Sequence, residues 1–156
     1  MPTPTYIPLA TTTLTGSATS VTFSNIPQSY RDLVLVINGK GSIDENATYT
    51  LNGSTTGFNW VRMAGDGSTT VSDSNTNNTI GRVGTGDTTI IAQFIDYSAT
   101  DKHKHFIINN NYPGAEVRAI AARWASTSAI TSIAMGIRLS GSYLTGTTMS
   151  LYGIAA

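Results

Sequence analysis

The residues of this chain best suited to chemistry are two histidines spaced i, i+2, His103 and His105, inside the run Lys102-His103-Lys104-His105. On a strand, that spacing points both imidazoles to the same side, an arrangement that can ligate a metal. The sequence suggests no third ligand, and the two lysines would repel a cation, so a solvated strand or loop face is the simpler reading. The carboxylates Asp44, Glu45, Asp66, Asp73 and Asp87 are spread over polar segments rather than paired. Asp66-Gly67 and Gly86-Asp87 read as turns, in which Asp supports the bend and Gly supplies positive φ. Gly81–Gly86 (GRVGTG) superficially resembles a phosphate loop, but it lacks a Lys-Ser/Thr pair and a following helix, so it reads as a β-turn. No Gly-x-Ser-x-Gly elbow occurs, and with no cysteine there is neither a thiol nucleophile nor a thiolate metal site. Trp60, Trp124, Tyr112 and Tyr143 are the aromatics that could stack on sugar rings. The competing expectation puts the tryptophans in the core and the tyrosines on the surface.

The elements that must position these residues read as strands. Val21 and Phe23 alternate before the turn Asn25-Ile26-Pro27, and Leu33–Ile37 is a short β-branched run of the kind buried on both faces. Leu9–Thr15, Ala47–Leu51, Phe58–Met63, Thr88–Tyr97, Phe106–Asn109, Ile130–Leu139 and Thr147–Ile154 are the further strand candidates. Ala64–Asn78 is a polar loop with room for a small hairpin. Ala115–Ala125 is ambiguous: Val117, Ile120, Ala121 and Trp124 fall at helical spacing, whereas Arg118, Ile120, Ala122 and Trp124 alternate as in a strand. The strand-like neighbours favour a strand there. Eight to ten short strands with turn signals between them predict a single all-β domain, an antiparallel β-sandwich of jelly-roll type, over residues 9–156. Pro2, Pro4 and Pro8 make residues 1–8 an extended N-terminal arm. Tyr6 and Ile7 can anchor that arm on a neighbour, or the terminus can fray.

Composition narrows the function classes. The chain has 156 residues, nine cationic and nine acidic side chains, and a formal net charge of zero. At 12%, charged residues are about half as frequent as usual. Nucleic-acid binding needs clustered Lys and Arg, which are missing. No apolar run reaches the length of a membrane span, and the N-terminus has no basic, then apolar, signal pattern. These features predict a soluble protein made in a cytoplasm without a cleaved signal. A neutral surface of hydroxyls and amides suits a protein packed against copies of itself or a partner.

Four segments carry a family resemblance. Thr5–Ile37 (TYIPLATTTLTGSATSVTFSNIPQSYRDLVLVI), Ile95-Asp96-Tyr97-Ser98 with Lys102, Trp124–Thr131 (WASTSAIT), and the ending Gly146–Ile154 (GTTMSLYGI) follow in order along nearly the whole chain. Together they resemble a module of tailed-bacteriophage virions that closes on a Leu-Tyr-Gly-Ile tail. The resemblance implies a structural β-sandwich protein, not an enzyme, with no cofactor and no metal. Because the chain begins at Met1 and stops two residues after the tail, a standalone module is expected, which suits a capsid decoration (cement) protein on the capsid exterior. The implied partners are the major capsid protein and further copies of the chain, as a homotrimer by analogy with jelly-roll cement proteins, with no nucleic acid and no membrane. Pro2, Pro4, Tyr6 and Ile7 are the partner-binding candidates. The alternative is a tail, baseplate or short-fibre component that recognises glycans through Tyr and Trp.

Overall fold

The computed structural model describes residues 4–113 and 116–155. These form twelve strands and no helix: β1 Tyr6–Thr13, β2 Ser20–Phe23, β3 Asp32–Gly39, β4 Glu45–Leu51, β5 Phe58–Gly65, β6 Thr70–Asn75, β7 Thr79–Val83, β8 Thr88–Ile95, β9 Lys104–Tyr112, β10 Glu116–Trp124, β11 Ile133–Ile137 and β12 Thr148–Ile154. All pair antiparallel, in an eight-stranded sheet of order β1-β12-β3-β8-β9-β10-β5-β6 and a four-stranded sheet of order β2-β11-β4-β7. The expected all-β sandwich is what the chain forms. Its order also contains a simpler arrangement within the larger sheet. Setting aside β5, β6, β9 and β10 leaves two four-stranded sheets, β1-β12-β3-β8 and β2-β11-β4-β7, between which the chain passes back and forth as in a jelly roll. The hairpins β5–β6 and β9–β10 are additions, and they join each other through β10 and β5.

Most strands form where the alternation of the sequence places them. In β3 the run Leu33–Leu35 is buried on both faces, as is Ile37. The ambiguous segment is strand: β10 turns Arg118, Ile120, Ala122 and Trp124 inward, and leaves Val117, Ala119 and Ala121 exposed. Two strands depart from expectation. β6 arises inside the polar loop, held by six pairs to β5 although none of its side chains is buried. β7 takes up Thr79–Val83, so Gly81, Arg82 and Val83 are strand and not turn. Gly81 (φ 154°) is required there because an added Cβ would lie 3.0 Å from Asn110 Oδ1. That amide holds the outer edge of β7: Arg82 N–H donates to Asn110 Oδ1 (2.7 Å), and Asn110 Nδ2 donates to Arg82 O (3.1 Å) and Thr89 O (3.1 Å).

The two sheets meet through an aromatic cluster. Tyr49 of β4 stands edge-on to Phe58, Phe94 and Phe106, at centroid distances of 5.0, 6.3 and 5.7 Å. Trp124 stacks on Phe58 at 6.1 Å. Edge-to-face pairs of this kind are worth about 0.5–1.5 kcal/mol each beyond the area they bury. Tyr143 is also fully buried, its hydroxyl donating to Gly136 O, and Tyr112 is buried as well. The expectation of surface tyrosines fails at both positions, because each hydroxyl finds a partner inside the fold.

Burial pushes the hydroxyls of Tyr49 and Tyr143 well above the ordinary tyrosine pKa. An ionisable group with a raised folded-state pKa contributes stability that is fully present below the unfolded-state pKa, about 10 for tyrosine, and is lost as pH rises past it. The melting temperature should therefore fall increasingly as the pH is taken above about 10. Tyr49→Phe, which removes one such hydroxyl, should flatten that fall in differential scanning calorimetry. Parallel profiles for the two proteins would contradict this account.

Candidate binding face

The inner face of the large sheet is core, and its outer face carries the signal. Across β8, β9, β10, β5 and β6 the outward side chains line up in rows. One row runs Gln93–Ile107–Ala121–Val61–Ser74 and the next Ile91–Asn109–Ala119–Met63–Ser72. A third passes through Thr89, Asn111, Val117, Gly65 and Thr70. Met63 is 68% exposed, Val117 63% and Val61 58%, with Ile91 and Ile107 also open to solvent. No Asp, Glu, Lys or Arg stands in any of the three rows. Charge enters only at one end, where Arg123 donates to Asn59 Oδ1 (3.0 Å) beside the exposed His105. With strands about 4.8 Å apart and outward residues repeating about every 6.8 Å, the rows cover a footprint of about 300 Å². Within it the apolar positions gather on β10 and β5, with Ile91 and Ile107 beside them, while β6 contributes only Ser and Thr; exposed apolar patches are often functional. The small alanines of β10 make the middle of the face a shallow trough between Ile107 on one side and Met63 and Val61 on the other.

The polar candidates are drawn into structural bonding. β9 begins at Lys104, so His103 precedes the strand, and the two histidines do not share a strand face as expected. Both are exposed, while Lys104 between them is buried and donates to the carbonyls of Ala99 (2.5 Å), Lys102 (3.1 Å) and Thr127 (3.3 Å). Burial lowers the pKa of Lys104, and the three carbonyls satisfy the cation that burial disfavours. Asp66 accepts from the N–H groups and hydroxyls of Ser68 and Thr69, which hold its carboxyl well below the usual range and make the β5–β6 turn. Asp44 is lowered by the Tyr112 hydroxyl and the Thr85 N–H, and Tyr112 is raised in return. Asp73 takes a two-pronged bond from Arg62 (2.8 and 2.7 Å), and Asp87 lies 3.6 Å from Lys40. Arg118 bonds Glu116 and Asn46, and Arg82 stacks over Tyr112 at 4.9 Å. Several of these groups border an open cleft of about 800 Å³ between the β5–β6 turn and the end of β9. Of the aromatics suited to sugar stacking, Trp124, Tyr112 and Tyr143 are buried; Trp60 is half-buried, its Nε1–H given to Asn77 Oδ1 (2.9 Å).

The N-terminal candidates divide. Pro2 lies outside the described residues, and Pro4 is exposed ahead of β1. Tyr6 and Ile7 belong to β1, opposite Ile154 and Gly153, so the sheet takes up the last three residues of the expected arm. Tyr6 remains 57% exposed. Sequence reasoning did not single out the outer face, although its signal was present: Val61, Met63, Val117, Ala119 and Ala121 are apolar at positions where a one-faced strand would be polar.

The four resemblance segments converge at one end of the sandwich. Asp32 is buried and accepts from Arg31 Nε (3.2 Å), Gln93 Nε2 (3.2 Å) and Asp96 N (3.0 Å). The Tyr97 hydroxyl donates to Pro27 O, Ile130 N to Tyr97 O, and Gln28 Nε2 to Ile26 O and Ile130 O. Arg31 N donates to Ile154 O. Tyr30 lies flat against Gly153, where an added Cβ would sit 2.4 Å from Tyr30 Cγ. These residues thus latch the strand ends together. No family profile matches the chain, and neither a curated protein nor a solved structure matches it.

The latch yields a double-mutant test. Gly153→Ala should cost about 1–3 kcal/mol in urea unfolding, because Cγ is the fixed end of the tyrosine and cannot swing clear. In a Tyr30→Ala background the same methyl should cost close to nothing. Equal costs in both backgrounds would reject the contact.

Proposed function

We propose that this protein is a structural component of a tailed-phage virion, a decoration protein that sits on the outside of the capsid and stabilises the shell. The observation that carries the reading is the apolar, charge-free outer face of β8–β9–β10–β5, built mainly from strands added to a complete jelly roll. A fold needs no such face for its own core. Leaving it in water is unfavourable, and covering it returns about 25 cal/mol per Å² of apolar surface removed from solvent. One footprint of about 300 Å² is small beside the roughly 800 Å² per partner of a standard interface. Such a face works when copies are linked in an oligomer that meets a repeating surface, because the first copy bound raises the effective concentration of its linked partners. The absence of charged side chains from the three rows fits a contact governed by shape and burial rather than by steering. The order of the four shared segments supports the same class.

The mechanism is thermodynamic. The face and the residues ahead of β1 bury surface across adjoining major-capsid subunits, so the expanded shell gains free energy relative to any state in which those subunits separate. Threefold clustering over capsomer junctions is the matching arrangement. A tail or short-fibre role with glycan recognition is the competing reading, and Trp60 is the aromatic through which it would act.

Purified protein added to expanded shells should saturate at hundreds of copies per particle by quantitative gel analysis. A handful of copies, located at the tail by immuno-electron microscopy, would overturn the capsid assignment. Met63→Glu places a charge in the middle of the face without touching the core. It should weaken shell binding by about tenfold or more, with the melting temperature unchanged. Removing residues 1–5, which leaves β1 intact from Tyr6, should weaken shell binding as well, read by the same co-sedimentation.

A further inference from the structure

Four strand edges bound the two sheets, and three of them are blocked. β1 carries Pro8 and a bulge between Pro8 and Ala10. β2 is four residues long. β7 has its outer N–H and C=O at Arg82 taken by Asn110. These are devices by which proteins keep sheet edges from pairing with other chains. β6 has none of them. It is six residues long, pairs with β5 without a bulge, contains no Pro and no Lys, and is exposed throughout. Among the described residues, no backbone group of Thr70–Asn75 bonds outside the ladder. Its one charge, Asp73, is neutralised by the two-pronged bond from Arg62.

We propose that β6 pairs antiparallel with β6 of a second copy, across a two-fold axis that joins the two large sheets edge to edge. The occupant follows from the register. Opposed residues of an antiparallel pair point to the same face, so a continuous sheet needs like-facing residues opposite each other. Centring the axis on Asp73 would set two carboxylates opposite each other, which is unfavourable. Centring it on Ser72 places Ser72 against Ser72 of the second copy, Val71 against Asp73 and Thr70 against Ser74, with no like charges opposed. The register centred on Ser72 is therefore the one that pairs the most of β6, Thr70–Ser74, without opposing like charges. The two outer faces then lie on the same side, so that Met63–Ser72 of one copy continues into Ser72–Met63 of the other and the apolar positions of both copies face one way across a polar seam. This inference does not rest on the virion reading, and it concerns a contact distinct from any threefold one.

The absence of native cysteine makes the test clean. Opposed Cα atoms in such a pair are about 5 Å apart, within disulfide range. Ser74 and its counterpart would stand about 14 Å apart along the strands. Under mild oxidation Ser72→Cys should give a disulfide-linked dimer on non-reducing gels at least about tenfold faster than Ser74→Cys, which is equally exposed. Wild-type protein should show concentration-dependent, even-numbered association in sedimentation velocity. Ser72→Lys, which opposes two ammonium groups at the axis, should raise the dissociation constant about tenfold while leaving the circular dichroism spectrum unchanged. Equal crosslinking of the two cysteine variants, a wild-type protein without even-numbered species, or association unaffected by Ser72→Lys would each overturn the proposal.

Discussion

Tyr49 is the point on which the architecture turns. It reaches from the small sheet to Phe94 on an original jelly-roll strand and to Phe106 and Phe58 on the two added hairpins. The same ring thus packs the core of the basic fold and fixes the additions to it. The hairpins pair with each other through β10 and β5, and the β8–β9 ladder joins them edge-on to the rest of the larger sheet. The aromatic cluster, with Trp124 stacked behind Phe58, sets their position relative to the sandwich. A flat outer face, and an edge strand held at a fixed distance from the core, both follow from it.

Polar groups finish what the apolar core begins. A sandwich whose larger sheet overhangs the smaller one leaves backbone groups at β7 and at the 97–103 connection without strand partners. Asn110 and Lys104 supply them, one as a side-chain imitation of a neighbouring strand and the other as a buried cation shared by three carbonyls. Losing either would leave several buried acceptors or donors unpaired at once, a costlier defect than the loss of one exposed bond.

Much of this fold was legible in the sequence, and the failures have physical causes. Leu33–Ile37 was plain because a β-branched run buried on both faces leaves no other periodicity to find. β10 was ambiguous because Val117 and Ala121 are apolar on the outward side, which overlays a helical spacing on the strand alternation. That blurring is the imprint of a second apolar face, so the hardest segment to assign was also the one that carried the candidate site. β6 escaped notice because neither of its faces is buried, and pattern reading depends on burial. β7 escaped because Gly81 is the usual mark of a turn, whereas here it makes room for Asn110, a residue far along the chain. The proline-marked start suggested a free arm, but hydrogen bonding to β12 claims Tyr6 to Pro8, as only the long-range pairing could reveal.

The place of β12 has a consequence for biosynthesis. It lies between β1 and β3, so the last of the twelve strands fills a slot framed by two of the first. Until Thr148–Ile154 emerges, β1 has no strand to pair with and β3 keeps one open edge. The larger sheet therefore cannot be completed until β12 has been made, and contacts between strands far apart in sequence must then close, a topology that slows folding. A chain stalled or clipped before Thr148 would expose two unsatisfied edges at once and be a ready substrate for chaperones or proteases. A check on completeness is thus built into the strand order: only a polypeptide translated through β12 can seal the sandwich.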